Sequence, residues 1–99
     1  MTLYSTRINV ETFVPAENVF EESFWDFITK SESEEDAYSK FLAHAQQFLF
    51  PDQYDDYVVP QEYHHNFLVG GVTYRYIFSQ PEETTKEDFK DQMYDQCKI

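Results

Sequence analysis

The chain is poor in residues that several common kinds of protein and site require. It has 99 residues with one cysteine, two glycines and four prolines, and seven Lys and Arg against nineteen Asp and Glu. A single cysteine, Cys97, cannot form an intramolecular disulfide, which favours a reducing compartment. No apolar run reaches the length of about 18 residues that indicates a membrane-spanning helix. We therefore expect a cytoplasmic protein with no membrane contact and no N-terminal targeting segment.

Signatures of catalysis and of cofactor binding are also missing. The sequence has no phosphate-binding loop, no dinucleotide-binding glycine pattern and no nucleophile elbow. His64 and His65 are neighbours in a predicted strand, so their side chains face opposite sides of it. A zinc site needs three or four converging nitrogen or sulfur ligands, and Cys97 supplies the only thiol. We expect a protein that is not an enzyme, with no cofactor and no metal site.

What the sequence does have is a large negative charge on an aromatic chain. Its formal net charge is -12 and aromatic residues make up 19% of it. Disordered acidic segments lack aromatics, because they cannot bury enough apolar surface to offset chain entropy. We therefore predict one compact domain over residues 1–99. Such a surface repels nucleic acid and membranes, and it attracts basic proteins.

The first half of the chain predicts one strand and two helices. Residues 3–14 alternate between β-branched or aromatic and mainly polar side chains, which is typical of a strand. Pro15 suits the first turn of a helix over residues 16–30. Ser33 is the predicted N-cap of a second helix, which Pro51 stops. The apolar residues that favour the first helix recur at helical spacing: Val19, Phe20, Phe24, Phe27 and Ile28.

The second half predicts a loop, a hairpin and a last helix. Residues 52–60 are expected to be a loop. Gly70 and Gly71 lie between two alternating segments, Gln61–Val69 and Val72–Gln80, which is the pattern of a β-hairpin with a two-residue turn. The predicted cross-strand pairs are Val69 with Val72, Phe67 with Tyr74, His65 with Tyr76, and Tyr63 with Phe78. The predicted last helix has Thr84 and Glu87 as its capping box, an apolar row (Phe89, Met93, Cys97) and an acidic row (Glu87, Asp91, Asp95).

These elements predict an α+β fold in the order β-α-α-β-β-α, with a three-stranded, antiparallel-containing sheet and the helices packed on one face. The carboxylates concentrate between Glu11 and Asp36 and continue through residues 52–62. On the predicted first helix, Trp25 lies outside the apolar arc, beside Glu22 and Asp26. An exposed aromatic among acids indicates a binding surface, since Trp and Tyr are enriched at energetic hot spots. The residues predicted to bind a partner are Glu17, Glu21, Glu22, Trp25, Asp26, Glu32, Glu34, Glu35, Asp36, Asp52, Tyr54, Asp55, Asp56 and Tyr57.

In charge and size the chain resembles phage-encoded DNA-mimic inhibitors of restriction, CRISPR or repair enzymes, and the resemblance is one of composition. It implies an anti-defence protein that blocks the basic nucleic-acid-binding surface of a target. The expected partner is therefore a basic, nucleic-acid-binding protein, with no direct contact between this chain and nucleic acid.

Several alternatives stay open at this point. The same charge suits an immunity protein or antitoxin that neutralises a basic toxin or nuclease. An adaptor could instead bind basic peptides by adding them to an edge strand along residues 3–14. The charge could also serve solubility alone, and a homodimer is not excluded.

Overall fold

The computed structural model describes residues 1–85, and these form six strands and one helix. The elements in chain order are β1 (Thr2–Val14), β2 (Val19–Ser31), α1 (Glu34–Phe48), β3 (Asp56–Gln61), β4 (His64–Val69), β5 (Val72–Phe78) and β6 (Glu82–Glu83).

The strands form one antiparallel sheet in the order β2-β1-β5-β4-β3, and β6 pairs with β1. The predicted β-α-α-β-β-α order with a three-stranded sheet is therefore wrong for the described residues, which contain a six-stranded sheet and a single helix. The predicted last helix, from Thr84 and Glu87 through Phe89 and Met93 to Cys97, lies outside them for all but its first two residues.

The largest correction concerns residues 16–30, which form most of strand β2 instead of a helix. Pro15 begins a tight turn, in which the amide of Glu17 donates to the carbonyl of Val14 at 3.2 Å. Asn18 takes a positive φ of 51°, a conformation that Asn tolerates better than most residues. The turn reverses the chain, so that β2 pairs with β1 along the sheet.

The second predicted helix is confirmed as α1. Ser33 is its N-cap, and the Ser33 hydroxyl accepts a hydrogen bond from the amide of Asp36 at 3.1 Å. Ala37, Phe41 and Ala45 lie one turn apart and are all buried. One apolar stripe therefore anchors this helix.

The predicted hairpin is also confirmed, as β4 and β5. Val69 pairs with Val72, and the ladder continues in the predicted register to His64, opposite Ile77. Gly70 and Gly71 have φ values of 57° and 82°, which the two-residue turn requires and which glycine adopts without strain. Tyr63 has a positive φ of 71° and lies just outside β4, but its carbonyl accepts a hydrogen bond from the amide of Phe78 at 2.9 Å, so these two predicted partners remain in backbone contact.

Two short strands were not predicted. Residues 56–60 were expected to lie in a loop, and they form most of β3, which pairs with β4 through an irregular register between Val58 and Gln61. Glu82 and Glu83 form β6 against Ser5 and Tyr4.

The chain divides into two compact units, which we call the helix unit and the hairpin unit. The helix unit comprises Met1–Arg7, Asp26–Phe50 and the segment that begins at Ser79. Its core joins α1 to the second half of β2, where the rings of Phe27 and Phe41 lie 6.4 Å apart.

The hairpin unit comprises Ile8–Trp25 and Pro51–Phe78. Its buried side chains include Phe67 from β4 and Tyr76 from β5, whose rings meet edge to face at 5.7 Å. Buried rings from paired strands therefore form this core.

The core of the helix unit gives a direct stability test. Phe41 is fully buried, whereas Phe48 on the same helix is 64% exposed. We expect Phe41→Ala to lower the free energy of unfolding by about 3–5 kcal/mol, because it removes a buried ring and leaves a cavity. We expect the matched Phe48→Ala to cost less than about 1 kcal/mol. Urea unfolding followed by circular dichroism measures both, and equal losses would contradict the described packing of α1.

Candidate functional site

The residues predicted to bind a partner fall into three groups. One group belongs to the helix unit: Asp26, Glu32, Glu34, Glu35 and Asp36. The other two belong to the hairpin unit: Glu17, Glu21, Glu22 and Trp25 on β2 and the turn before it, and Asp52, Tyr54, Asp55, Asp56 and Tyr57 on β3 and the loop before it. Within the hairpin unit, β2 and β3 are at opposite ends of the strand order. The predicted single acidic side is therefore divided.

Asp26 is engaged within the fold. Arg7 Nε donates to one Asp26 carboxylate oxygen at 2.9 Å, and a terminal guanidinium nitrogen donates to the other at 3.2 Å. This two-point hydrogen bond and the charge of Asp26 raise the pKa of Arg7 above its ordinary value. A basic partner would have to displace Arg7 to reach Asp26, so Asp26 is a poor candidate for binding.

The acids at the start of α1 are exposed, and part of their charge serves the helix itself. Glu34, Glu35 and Asp36 occupy the first turn, where negative charge is favoured by the helix dipole. Asp36 accepts a hydrogen bond from the Ser31 hydroxyl and forms an ion pair with Lys40 at 3.5 Å. The hydrogen bond from Ser31, followed by the charge of Lys40, lowers the pKa of Asp36.

The first half of β2 is exposed on both faces. Every residue of Val19–Trp25 is exposed, and Phe20, Phe24 and Trp25 are 53%, 58% and 41% accessible. Because side chains alternate along a strand, Glu21 and Trp25 share one face, while Glu22 and Phe24 share the other. The predicted neighbourhood of Trp25 and Glu22 on a helix was therefore wrong, although Trp25 is indeed exposed. The exposure of Phe20 and Phe24 was missed, since the helical assignment placed both in the buried arc.

At the other end of the strand order, Asp52, Tyr54, Asp55, Asp56 and Tyr57 form what we call the tyrosine–aspartate surface. The rings of Tyr54 and Tyr57 are 50% and 37% exposed. Tyr57 stacks on the buried Phe67, with ring centres 4.5 Å apart, and Tyr54 meets the same ring edge-on at 5.1 Å. The two tyrosines are thus exposed on one side and held by the hairpin on the other.

Hydrogen bonds fix the backbone of this surface. The amide of Asp55 donates to the carbonyl of Leu68 at 2.7 Å, and the Asp55 carboxylate accepts from the amide of Gly70 at 2.9 Å. Asp56 accepts from the amide of Tyr57 at 2.9 Å. Asp55 is exposed but anchors the loop to the hairpin turn, so the exposed Asp52 and Asp56 are the better candidates to pair with a partner.

The Tyr57 hydroxyl also forms a hydrogen bond with Nδ1 of His65, at 2.7 Å. Burial, together with the neighbouring His64, lowers the pKa of His65, so the imidazole is neutral at pH 7. Burial, together with Tyr54, raises the pKa of Tyr57. The pair is therefore uncharged at neutral pH, and the exposed negative charge of this surface comes from its aspartates.

Few of the carboxylates are neutralised internally. Residues 1–85 contain fifteen of the nineteen Asp and Glu. In this part of the chain, ion pairs involve only three of them: Asp26 with Arg7, Asp36 with Lys40, and Glu11 with Arg75. Those three pairs engage three of the four cations in the same range. The tyrosine–aspartate surface and Glu17, Glu21 and Glu22 take part in no ion pair among the described residues.

Residues 1–85 also lack a metal-binding cluster and a membrane-spanning helix. No three or more His, Cys, Asp and Glu side chains in this range are grouped so as to hold a metal ion. Helix α1 lacks the length and the apolar character needed to cross a membrane.

The buried His65 and the half-buried His44 predict an acid-sensitive fold. Burial lowers the pKa of both His65 and His44 below the ordinary value of 6.5. Since the folded state favours the neutral forms, their contribution to stability is present above pH 6.5 and is lost as the pH falls through the lowered pKa values. We expect the free energy of unfolding to fall between pH 7 and pH 5, and the His65 ring signals to titrate below pH 6.5 by NMR. Titration of His65 at or above 6.5 would contradict the described burial.

Comparison of the chain with protein-family models, with curated proteins and with solved structures finds no match. The acidic and aromatic surfaces described above are therefore the basis for the function proposed below.

Proposed function

We propose that this chain is a non-enzymatic acidic binding protein that inhibits a basic, nucleic-acid-binding protein by occupying the surface that normally contacts phosphates. The observation that carries the proposal is the tyrosine–aspartate surface, where two fixed, half-exposed rings lie among carboxylates that no described cation pairs. We place this activity in the cytoplasm, where such a target meets nucleic acid.

The chemistry of this surface is complementary to that of a protein surface that binds phosphates. Lys and Arg side chains that hold phosphates would pair with Asp52 and Asp56. An Arg guanidinium would also stack on the exposed face of Tyr54 or Tyr57, an attraction of about 0.5–2 kcal/mol at each ring. Because Phe67 already holds both rings, little side-chain entropy is lost when a partner orders them.

The overall charge supports the same function at longer range. Three of the four cations in residues 1–85 are engaged in internal ion pairs, so they offer little opposition to the exposed carboxylates. A field of one sign raises the rate at which an oppositely charged protein is encountered, and added salt weakens it. The exposed acids of α1, Glu34 and Glu35, would contribute to this steering without having to touch the partner.

The proposal predicts competition with DNA. Affinity capture with the full chain should retain a basic protein from its host, and added duplex DNA should release that protein. Retention in excess DNA would contradict mimicry. If the captured protein is a toxin, the immunity-protein alternative takes its place.

Charge reversal tests which surface is responsible. We expect Asp52→Lys with Asp56→Lys to slow association with the captured protein at least about ten-fold and to flatten its salt dependence, because steering is lost. We expect Tyr54→Ala to act mainly on dissociation. The control with an equal change of net charge is Glu82→Lys with Glu83→Lys, on exposed side chains of the helix unit. Surface plasmon resonance at two salt concentrations measures both rates, and equal effects of the two double variants would rule out this surface.

A further inference from the structure

Strand β2 has a second exposed surface, separate from the tyrosine–aspartate surface. The inference drawn from it does not depend on the function proposed above. Residues 3–14, expected to be an edge strand, form β1, which has β2 on one side and β5 and β6 on the other. Edge-strand addition along residues 3–14 is therefore ruled out. The edges of the described sheet are β2 at one end and β3 at the other.

The two edges differ in how they are protected. An edge strand has outward-pointing amides and carbonyls that can pair with a strand of another chain. Proteins commonly hinder such pairing by placing a proline, a lysine or a bulge in the edge strand. β3 has Pro60 and an irregular register between Val58 and Gln61. Val19–Trp25 of β2 contains no proline, lysine or arginine. In such an edge strand, every second residue points its amide and carbonyl away from the sheet.

The side chains of Val19–Trp25 are also suited to contact a further strand. One face presents Phe20, Glu22 and Phe24, and the other presents Glu21 and Trp25, all of them exposed. Glu22 thus lies between Phe20 and Phe24 on one face, and Glu21 shares the other face with Trp25, with Ser23 between them. A strand that pairs here would have apolar contacts and a charge contact on both of its faces.

Charge argues against a second copy of this chain as the natural occupant. An antiparallel pairing of two β2 strands that matches Phe20 with Phe24 would set Glu22 directly opposite Glu22. Like charges directly opposite each other destabilise a strand pair, and each copy has a net charge of -12. The occupant must instead be basic where β2 is acidic.

We propose that Val19–Trp25 of β2 binds an extended basic segment of a partner protein by strand addition. In antiparallel pairing, consecutive basic residues would lie opposite Glu22 and Glu21, one on each face of the strand. Apolar residues would lie opposite Trp25, Phe24 and Phe20. Read from the N-terminus, the partner segment has the pattern apolar, apolar, any residue, basic, basic, apolar.

The test uses the full chain and the synthetic peptide Val-Val-Ser-Lys-Lys-Val, with Val-Val-Ser-Glu-Glu-Val as its control. We expect the basic peptide to shift the NMR signals of the Val19–Trp25 amides and to slow their hydrogen exchange, and the acidic peptide to do neither. Two further forms of the basic peptide are N-methylated at alternate residues, one at the odd positions and one at the even positions. Strand addition predicts that one of these forms binds and the other does not, because only one edge of the peptide faces β2. Equal binding of both forms would overturn the proposal.

Variants separate this surface from general charge attraction. We expect Glu21→Lys with Glu22→Lys to weaken the basic peptide about ten-fold. Glu82→Lys with Glu83→Lys gives the same change in net charge and should change affinity less than two-fold, as should Asp52→Lys with Asp56→Lys. Loss of binding in the last variant alone would move the site to the tyrosine–aspartate surface and overturn this proposal. Because the peptide assay needs no captured target, its result is independent of the DNA competition.

Two other occupants would also be detected. Light scattering that shows a dimer, with slow exchange at the outward-pointing amides of Val19–Trp25 and no peptide present, would mean that a second copy covers β2. Slow exchange at the same outward-pointing amides in a monomer would mean that the chain covers this edge itself. Either result would overturn the proposal.

Discussion

The pairing of β1 with strands on both sides is the constraint on which the other surfaces depend. Its second half pairs with β5 from Ile8 opposite Phe78 to Phe13 opposite Thr73, and its first half pairs with β6 at Tyr4 and Ser5. The tight turn at Pro15–Asn18 then leaves β2 with β1 as its one neighbour among the strands of residues 1–85. Because a strand in the middle of a sheet offers no free backbone edge, the strand addition that we propose involves β2 and not β1.

The same arrangement separates two kinds of aromatic residue in the hairpin unit. Phe67, Tyr76 and Phe78 are buried on paired strands, where cross-strand contacts hold them. The rings at the two ends of the strand order, Trp25 on β2 and Tyr57 on β3, are only partly covered. A high aromatic content therefore serves both the core and the surface of this unit, and the position of the strand in the sheet decides which.

The sequence was informative where a local rule determined the geometry. Gly70 and Gly71 admit the positive φ angles of a two-residue turn, so the register of β4 against β5 followed from counting outward. Ser33 and the stripe of Ala37, Phe41 and Ala45 identified α1 in the same way. In both cases buried residues recur along the element at the spacing that is typical of its type, strand or helix.

The secondary-structure predictions failed in segments that have no buried face. The first half of β2 is exposed on both faces, so its apolar residues carry no period of two, and Phe20, Phe24 and Phe27 fit helical spacing by chance. Its richness in aromatic and β-branched residues was the signal that favoured a strand. All six residues of β3 are exposed, and Pro60 and Asp56 resemble loop residues. Of the candidate site, the sequence showed that Trp25, Tyr54 and Tyr57 lie next to acids, but it left the exposure of Trp25 open, and the distribution of the three rings over two sheet edges depends on strand order.

The acids and the exposed aromatic residues of β2 have opposite effects on self-association. Exposed rings on an edge strand promote self-association, and carboxylates on both faces of that strand oppose it, since the pairing of two copies that matches Phe20 with Phe24 sets Glu22 opposite Glu22. The same carboxylates would attract the basic segment that we propose as the occupant, so one charge pattern would disfavour self-pairing and favour that partner. A charge that served solubility alone would not need to alternate with rings on both faces of β2 or to lie beside rings held by Phe67. The placement of the charge, more than its size, is what points to a binding function.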